Sequence, residues 1–297
     1  MSIASSTRQY YDGSVSTDGL SPGSHAGGSS EAPNVPASGI DPDRVAGHWL
    51  LARMGKRVLR PGGVETTRFL LDRLAVTNED DVVEVAPGLG ATTRMILEAD
   101  PASYTGVDRD PEAAGLVSSG MAGANRRVIN ATASDTGLPA SSADVVIGEA
   151  YLTMQPDSTK QRIIAELARL LRPGGRFALH EVAFAPEDIS DEHRAGVSKA
   201  LGSTIKVNVK PLTVTGWTNL LAQHGLRVEA RHTTPLHLLE PRRLVADEGL
   251  AGTLRFAANV ARNPAARKRV LAMRKAMGAN AANLSAIGLV ATRSDDA

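Results

Sequence analysis

Two acidic residues, Glu84 and Asp108, each close a short apolar run, and glycines stand between them. The first run, Val82-Val83-Glu84-Val85, passes through Ala86-Pro87-Gly88-Leu89-Gly90 into Ala91-Thr92-Thr93, the pattern of a buried strand that turns on glycines into a helix. Such a turn presents backbone N–H groups and a carboxylate to a nucleoside cofactor. About eighteen residues beyond Gly90, Tyr104-Thr105-Gly106-Val107-Asp108 reads as a second strand closing on a carboxylate. That is the distance at which a βαβ unit places its ribose-binding acid. A dinucleotide fingerprint would need a further glycine at position 93, where this chain has Thr93, so a cofactor with a ribose and no pyrophosphate fits better.

Glu84-Val85-Ala86-Pro87-Gly88-Leu89-Gly90 resembles the first motif of class I S-adenosylmethionine-dependent methyltransferases, with Ala86 where glycine is commoner. Asp108 matches the family's ribose-binding acid. Leu138-Pro139 followed by Ala143-Asp144-Val145-Val146-Ile147 resembles the run into the fourth strand, and Leu170-Leu171-Arg172-Pro173-Gly174-Gly175-Arg176 the turn before the fifth. The resemblance spans roughly residues 64 to 182 and holds four motifs in order, which is far more specific than any one of them. It implies a Rossmann-like α/β fold, a mostly parallel seven-stranded sheet with helices on both faces, and S-adenosyl-L-methionine as cofactor. Glu84, Ala86, Gly88, Gly90, Asp108, Arg109 and Glu149 are then expected at the cofactor. At the adenine contact the aligned residues are Ala133-Ser134-Asp135, so either Ser134 or Asp135 takes that role.

Methyl transfer needs a nucleophile held in line with an activated methyl group and an acceptor for any proton released. No metal is required. Reacting groups in an open parallel sheet gather beyond the carboxyl ends of the strands. That places Glu149 and Tyr151 after the fourth strand, and His180 with Glu181 after the fifth as candidate bases. The alternatives are that Glu181 caps a turn and His180 sits in the sheet. The Asn-Pro-Pro-Tyr type of motif is absent, which leaves a small molecule methylated on oxygen, nitrogen or carbon as the partner.

Composition narrows the classes. The 297 residues are 42% apolar but only 3% aromatic, so the core must be mostly aliphatic, and a formal charge of +1 argues against a globally basic nucleic-acid binder. Zero cysteines exclude disulfides, thiolate metal sites and cysteine nucleophiles, and with them cytosine-carbon methylation through a cysteine adduct. No run approaches 18 apolar residues and no signal peptide is evident, so no membrane span and a cytoplasmic location are expected.

Residues 1–40 read as a disordered tail rich in Gly, Ser and Pro from position 12, preceded by Tyr10 and Tyr11, and 41–297 as the catalytic domain. Val45, Trp49, Leu50 and Leu51 predict an amphipathic helix ending near Pro61; Val64, Leu70, Leu71 and Leu74 predict a second. In the family such helices (here 41–75) often roof the substrate pocket, which would let His48 face substrate. Ser158 and Gln161 suggest a capping box for a helix that stops at Pro173, and Phe177-Ala178-Leu179 follows as the fifth strand. Trp217, Leu220 and Leu221 mark a helix before an edge strand from Leu226, and Ala286 to Thr292 a last strand inside the sheet.

Residues 236–282 exceed what a hairpin needs and are read as a helical insertion. Positions 241–280 carry Arg242, Arg243, Arg255, Arg262, Arg267, Lys268, Arg269, Arg274 and Lys275 against Asp247 and Glu248 alone. A solvated face, a cap over an anionic substrate, and a surface for anionic lipid or RNA are the three readings. Two other functions remain: a non-catalytic cofactor-binding relative, and a nicotinamide-dependent oxidoreductase on a related sheet.

Overall fold

Consecutive apolar residues, alternating between the two faces of the sheet, build the centre of the molecule. Val82 of β1 (Asp81–Val85), Val145 of β4 (Ala143–Glu149), Ala178 of β5 (Leu171–Phe184) and Val290 of β8 (Leu284–Arg293) face one side, against Leu70 and Leu74 of α2 (Gly63–Leu74). Their neighbours Val83, Val146, Phe177 and Leu289 face the other, against α5 (Asp157–Leu170) and Trp217 of α7 (Val214–Ala222). The computed structural model describes residues 35–37, 39–236 and 238–294, all in one compact unit. Tyr10, Tyr11 and the tail through position 34 lie outside the described residues. Within the last of the expected tail, Pro36 is buried and the Ala37 N–H donates to the Glu112 carboxylate at 2.7 Å.

The sheet runs β3-β2-β1-β4-β5-β8-β7, with β2 at Ser103–Asp108, β3 at Arg126–Asn130 and β7 at Leu226–Pro235. Strands β1 to β5 are parallel, while β8 enters antiparallel between β5 and β7. This is the expected Rossmann-like architecture; a two-residue β6 (Leu212–Thr213) beside β5 is the addition. The last strand is interior and β7 is the edge, as the sequence predicts.

Several local expectations need correction. The first helix, α1, covers only Gly47–Arg53: Gly55, at φ 102°, ends it, so Lys56 and Arg57 lie on an irregular linker. No capping box forms at α5, whose N-cap is Pro156. Strand β5 is far longer than predicted. Its pairing with β4 jumps from Leu171 to Arg176, looping out Arg172–Gly175, and Arg172 from that bulge bridges Asp81 and Asp144.

Above the carboxyl ends of the strands lies a roof. α1 shares an apolar cluster with Phe256 of α8 (Pro241–Arg262) and Val270 and Met273 of α9 (Pro264–Ala279), so the pre-sheet helix and the insertion pack as one layer. α6 (Asp191–Ile205) closes its flank through Val197 and Leu201. No helix among the described residues is long and apolar enough to cross a membrane.

Candidate active site

The β1–α3 turn follows from three left-handed residues, Ala86 (φ 53°), Gly88 (φ 57°) and Gly90 (φ 69°), leading into α3 (Ala91–Leu97). For Ala86 the left-handed backbone costs about 1–2 kcal/mol, which explains why glycine is commoner there. The turn brings the Gly88 N–H to 3.3 Å from Asp108 Oδ2, while Oδ1 accepts from the Asp110 N–H at 2.9 Å. Asp108 is therefore fixed by backbone at the end of β2. Burial pushes its carboxyl up against the lowering effect of those two donors.

Between the strand ends and the roof lies a cavity of about 500 Å³, in the size range of small-molecule sites. Its two ends differ in chemistry. At one end stand Gly88, Asp108, Arg109, Asp110 and Ser134. The other is walled by Trp49, Leu201, Ile205, Val209, Leu236 and Met273, with Asn208 among few polar groups. His48 lines the cavity near the polar end: burial, then the charge of Arg109, lowers it to about 4, so it is a neutral imidazole at neutral pH.

Glu149, at the end of β4, also lines the cavity. Its Oε1 accepts from the Thr67 hydroxyl at 2.6 Å and lies 2.7 Å from His180 Nδ1; Oε2 accepts from the Thr92 hydroxyl and lies 3.1 Å from the Arg60 guanidinium. Burial alone would raise the Glu149 carboxyl, but the Arg60 charge and the bonds from His180 and Thr67 hold it at about 2. It is ionised, so His180 Nδ1 carries the proton it donates. Glu84, one strand away, accepts from Thr93 Oγ1 at 2.7 Å and from the Tyr104 hydroxyl at 2.6 Å, and burial raises it to about 7. Adjacent threonines at the start of α3 thus serve two different buried carboxylates.

Comparison with known proteins matches this geometry. Residues 82–175 fit a family model described as a methyltransferase domain. An uncharacterized protein of Haemophilus influenzae is 32% identical over 217 residues, which cover 72% of this chain and 84% of that one. The chain belongs to the class I S-adenosylmethionine-dependent methyltransferases. Among solved structures, MccD protein superposes with a TM-score of 0.64 at 15% identity, over 79% of this chain and 99% of that one. Geranyl diphosphate C-methyltransferase from Streptomyces coelicolor A3(2), crystallised with Mg2+, geranyl diphosphate and S-adenosyl-L-homocysteine, gives 0.56 at 16% identity, over 77% and 78%.

Of the residues singled out from the methyltransferase sequence, Glu84, Ala86, Gly88, Asp108, Arg109, Ser134, Glu149 and Glu181 border the cavity. Gly90 does not; its role is the turn itself. Asp135 is exposed and outside the lining, whereas Ser134 borders it.

The two candidate bases are corrected by geometry. His180 is fully buried, outside the lining, and committed through Nδ1 to Glu149; its Nε2 is buried without a partner among the described residues. Glu181 is fully buried as well. Its Oε1 accepts from the N–H groups of Tyr151 and Leu152 at 2.8 and 2.6 Å, and its Oε2 from the Thr153 N–H at 3.1 Å and hydroxyl at 2.6 Å. It caps the loop after β4. Successive strand residues point to opposite faces, so His180 and Glu181 could not have formed one cluster.

Sequence reasoning missed Arg60, Thr67 and Thr92, because all three reach Glu149 across long chain separations. Tyr151, which the sequence placed after the fourth strand, does line the cavity, and its buried hydroxyl has no partner among the described residues.

Proposed function

We propose that this methyltransferase transfers the methyl group of S-adenosylmethionine to an apolar, uncharged small molecule. The observation that carries the reading is one cavity lined both by the carboxylates and glycines of the strand-end turns and by the apolar side chains of the roof. The residues present fit the cofactor. Asp108 offers a fixed carboxylate for two ribose hydroxyls, and Ser134 borders the space for the base. Arg60 lines the cavity with a buried Nε that has no partner among the described residues, which suits the cofactor's carboxylate.

Bound there, the cofactor supplies a methyl group already activated on a sulfonium. The protein's contribution is then placement and exclusion of water. Apolar walls from α1, α6 and α9 desolvate the acceptor and hold it in one orientation, an effect that reaches about 7–11 kcal/mol when the reacting atoms are well aligned. Among the described residues, the arginines and lysines lining the cavity are Arg57, Arg60 and Arg109. Arg57 is exposed, Arg60 is paired with Glu149, and Arg109 follows Asp108 at the polar end. For an anionic acceptor that leaves the exposed Arg57 as the counter-charge not already engaged at the polar end or by Glu149. With His180 and Glu181 engaged elsewhere, the acceptor atom must be nucleophilic without a strong base, or lose its proton to solvent.

The engaged state of those two residues also supports a second reading, a cofactor-binding scaffold without turnover. Binding of S-adenosylhomocysteine tests what the two share. At 100 times its dissociation constant the ligand adds about 2.7 kcal/mol, which for this size raises the melting temperature by roughly 5–10 °C. Asp108→Ala is expected to remove most of that shift. A shift given by reduced nicotinamide dinucleotide and not by S-adenosylhomocysteine would overturn the cofactor assignment.

A further inference from the structure

The outward faces of α8 and α9 do not look like ordinary solvated helix surface. Of the five exposed large hydrophobic residues among the described residues, four lie in these two helices: Val245, Leu250, Leu254 and Leu271, the last three 71%, 70% and 56% exposed. Gly249, at φ 70° and ψ 172°, breaks α8, and beyond it Leu250, Leu254, Ala257 and Ala261 recur at i, i+4, i+7 and i+11. That spacing is one helix face. It is exposed throughout, whereas the inward face holds Phe256 and Asn259, which donates to the Met54 carbonyl at 3.1 Å.

The charges complete the pattern. Of nine basic residues in 241–280, Arg243 lies 3.5 Å from Glu65 and Arg269 is buried, donating to the Val45 carbonyl at 2.7 Å. The other seven are exposed and form no ion pair among the described residues. Both acids of the segment are turned inward, Asp247 and Glu248 lying against buried Lys56 at 3.6 and 3.4 Å. Every exposed charge here is therefore positive. Arg255 and Arg262 flank the leucine face of α8, and Leu271 is bracketed at three and four residues on either side by Arg267, Lys268, Arg274 and Lys275. On the opposite side of α9, Met273 and Met277 line the apolar end of the cavity.

We propose that α8 and α9 form a docking face for an anionic lipid surface. Exposed leucines among unpaired cations match what an interface-bound helix needs, apolar side chains to enter the acyl boundary and positive charge to meet headgroups. A nucleic-acid surface would use the cations but has no need of the leucines, which is why lipid is the occupant the residues favour. The cations are thereby separated from the acceptor: α9 caps the cavity with methionines and faces outward with lysine and arginine. An apolar acceptor of the kind inferred above would be drawn from such a surface. The docking itself rests on the outer residues and not on that reading.

The test uses the full chain in sedimentation with vesicles of phosphatidylcholine alone and of phosphatidylcholine containing phosphatidylglycerol. Partition into the anionic vesicles is expected to be at least about tenfold stronger and to fall with added salt. The triple variant Leu250→Ser, Leu254→Ser, Leu271→Ser should lose about tenfold or more, and Arg267→Glu with Lys268→Glu and Arg274→Glu should lose about 100-fold. Melting shifts with S-adenosylhomocysteine, measured on the same variants, report folding and the cofactor site separately. No preference for anionic vesicles, or binding that the leucine variant leaves unchanged, would overturn the proposal. Binding of RNA in preference to vesicles, insensitive to the leucines, would do so in favour of a nucleic-acid surface.

Discussion

Arg60, from the linker between α1 and α2, lies 3.1 Å from Glu149 at the end of β4, and both side chains are almost wholly buried. The pair ties that linker to the sheet at the cavity wall. Arg60 also donates to Thr92, and Glu149 also accepts from Thr67 and His180, so four elements meet on one carboxylate. Removing one partner of such a pair leaves a buried charge uncompensated, a cost of about 3–5 kcal/mol. Glu149→Gln is therefore expected to lower unfolding free energy by that amount, read by urea denaturation. A loss below about 1 kcal/mol would mean that water reaches Arg60.

The two strand-end glutamates have opposite pH dependence. Glu84 is raised from its ordinary 4.5 to about 7, so the folded state binds more protons between those values; its contribution is full below pH 4.5 and is lost as pH rises through 7. Glu149 is lowered to about 2 and contributes above pH 4.5, a contribution lost as pH falls toward 2. Between pH 5 and 8 wild type should lose on the order of 3 kcal/mol relative to Glu84→Gln. Equal melting temperatures for the two proteins across that range would show that Glu84 is not desolvated.

A general base is worth about 10² to 10⁴ in rate. His180 is enclosed between β5 and the Glu149 cluster, so His180→Ala should lower the melting temperature yet leave turnover per folded molecule within about tenfold. Turnover reduced 1,000-fold at unchanged cofactor affinity would restore it as a proton carrier.

Lys56 is fully buried between Asp247 and Glu248, and Glu248 Oε1 also accepts the Arg57 and Val58 N–H groups, both at 2.9 Å. Glu248→Ala strips three donors of their acceptor at once. The expected result is a loss of about 3–5 kcal/mol and faster proteolytic cleavage in the 55–62 linker than elsewhere. Uniform cleavage kinetics would indicate that the latch is incidental.

What the sequence showed and what it concealed separate along physical lines. Strands β1 and β8 were readable as short continuous apolar runs, which report burial on both faces, and β7 from Leu226, Val228 and Ala230 alternating with charged residues, which reports one exposed face. Arg126–Asn130 was not, since an edge strand with two arginines and an asparagine has almost no apolar signal. The helical insertion was visible from the length of residues 236–282, and its basic character from the arginines and lysines of 241–280. Residues placed at the cofactor by the glycine motif do border the cavity, Gly90 and Asp135 apart. Of the two candidate bases Glu181 does border the cavity while His180 does not, because position after a strand says which edge a residue occupies but not which face. Parity would have helped: His180 falls on the side of Ala178, and Glu181 on that of Leu179. Arg60 left no local signal at all, because its partner Glu149 is almost ninety residues away.

The most direct measurement is transfer of an isotopically labelled methyl group. Purified protein is incubated with labelled S-adenosylmethionine and a metabolite extract, and the products are divided between organic and aqueous phases before mass spectrometry. A labelled product gaining one methyl group, recovered in the organic phase and absent with Asp108→Ala, is the expected result. Label confined to anionic, water-soluble products would contradict the apolar acceptor, and cofactor binding without any labelled product would contradict methyl transfer itself.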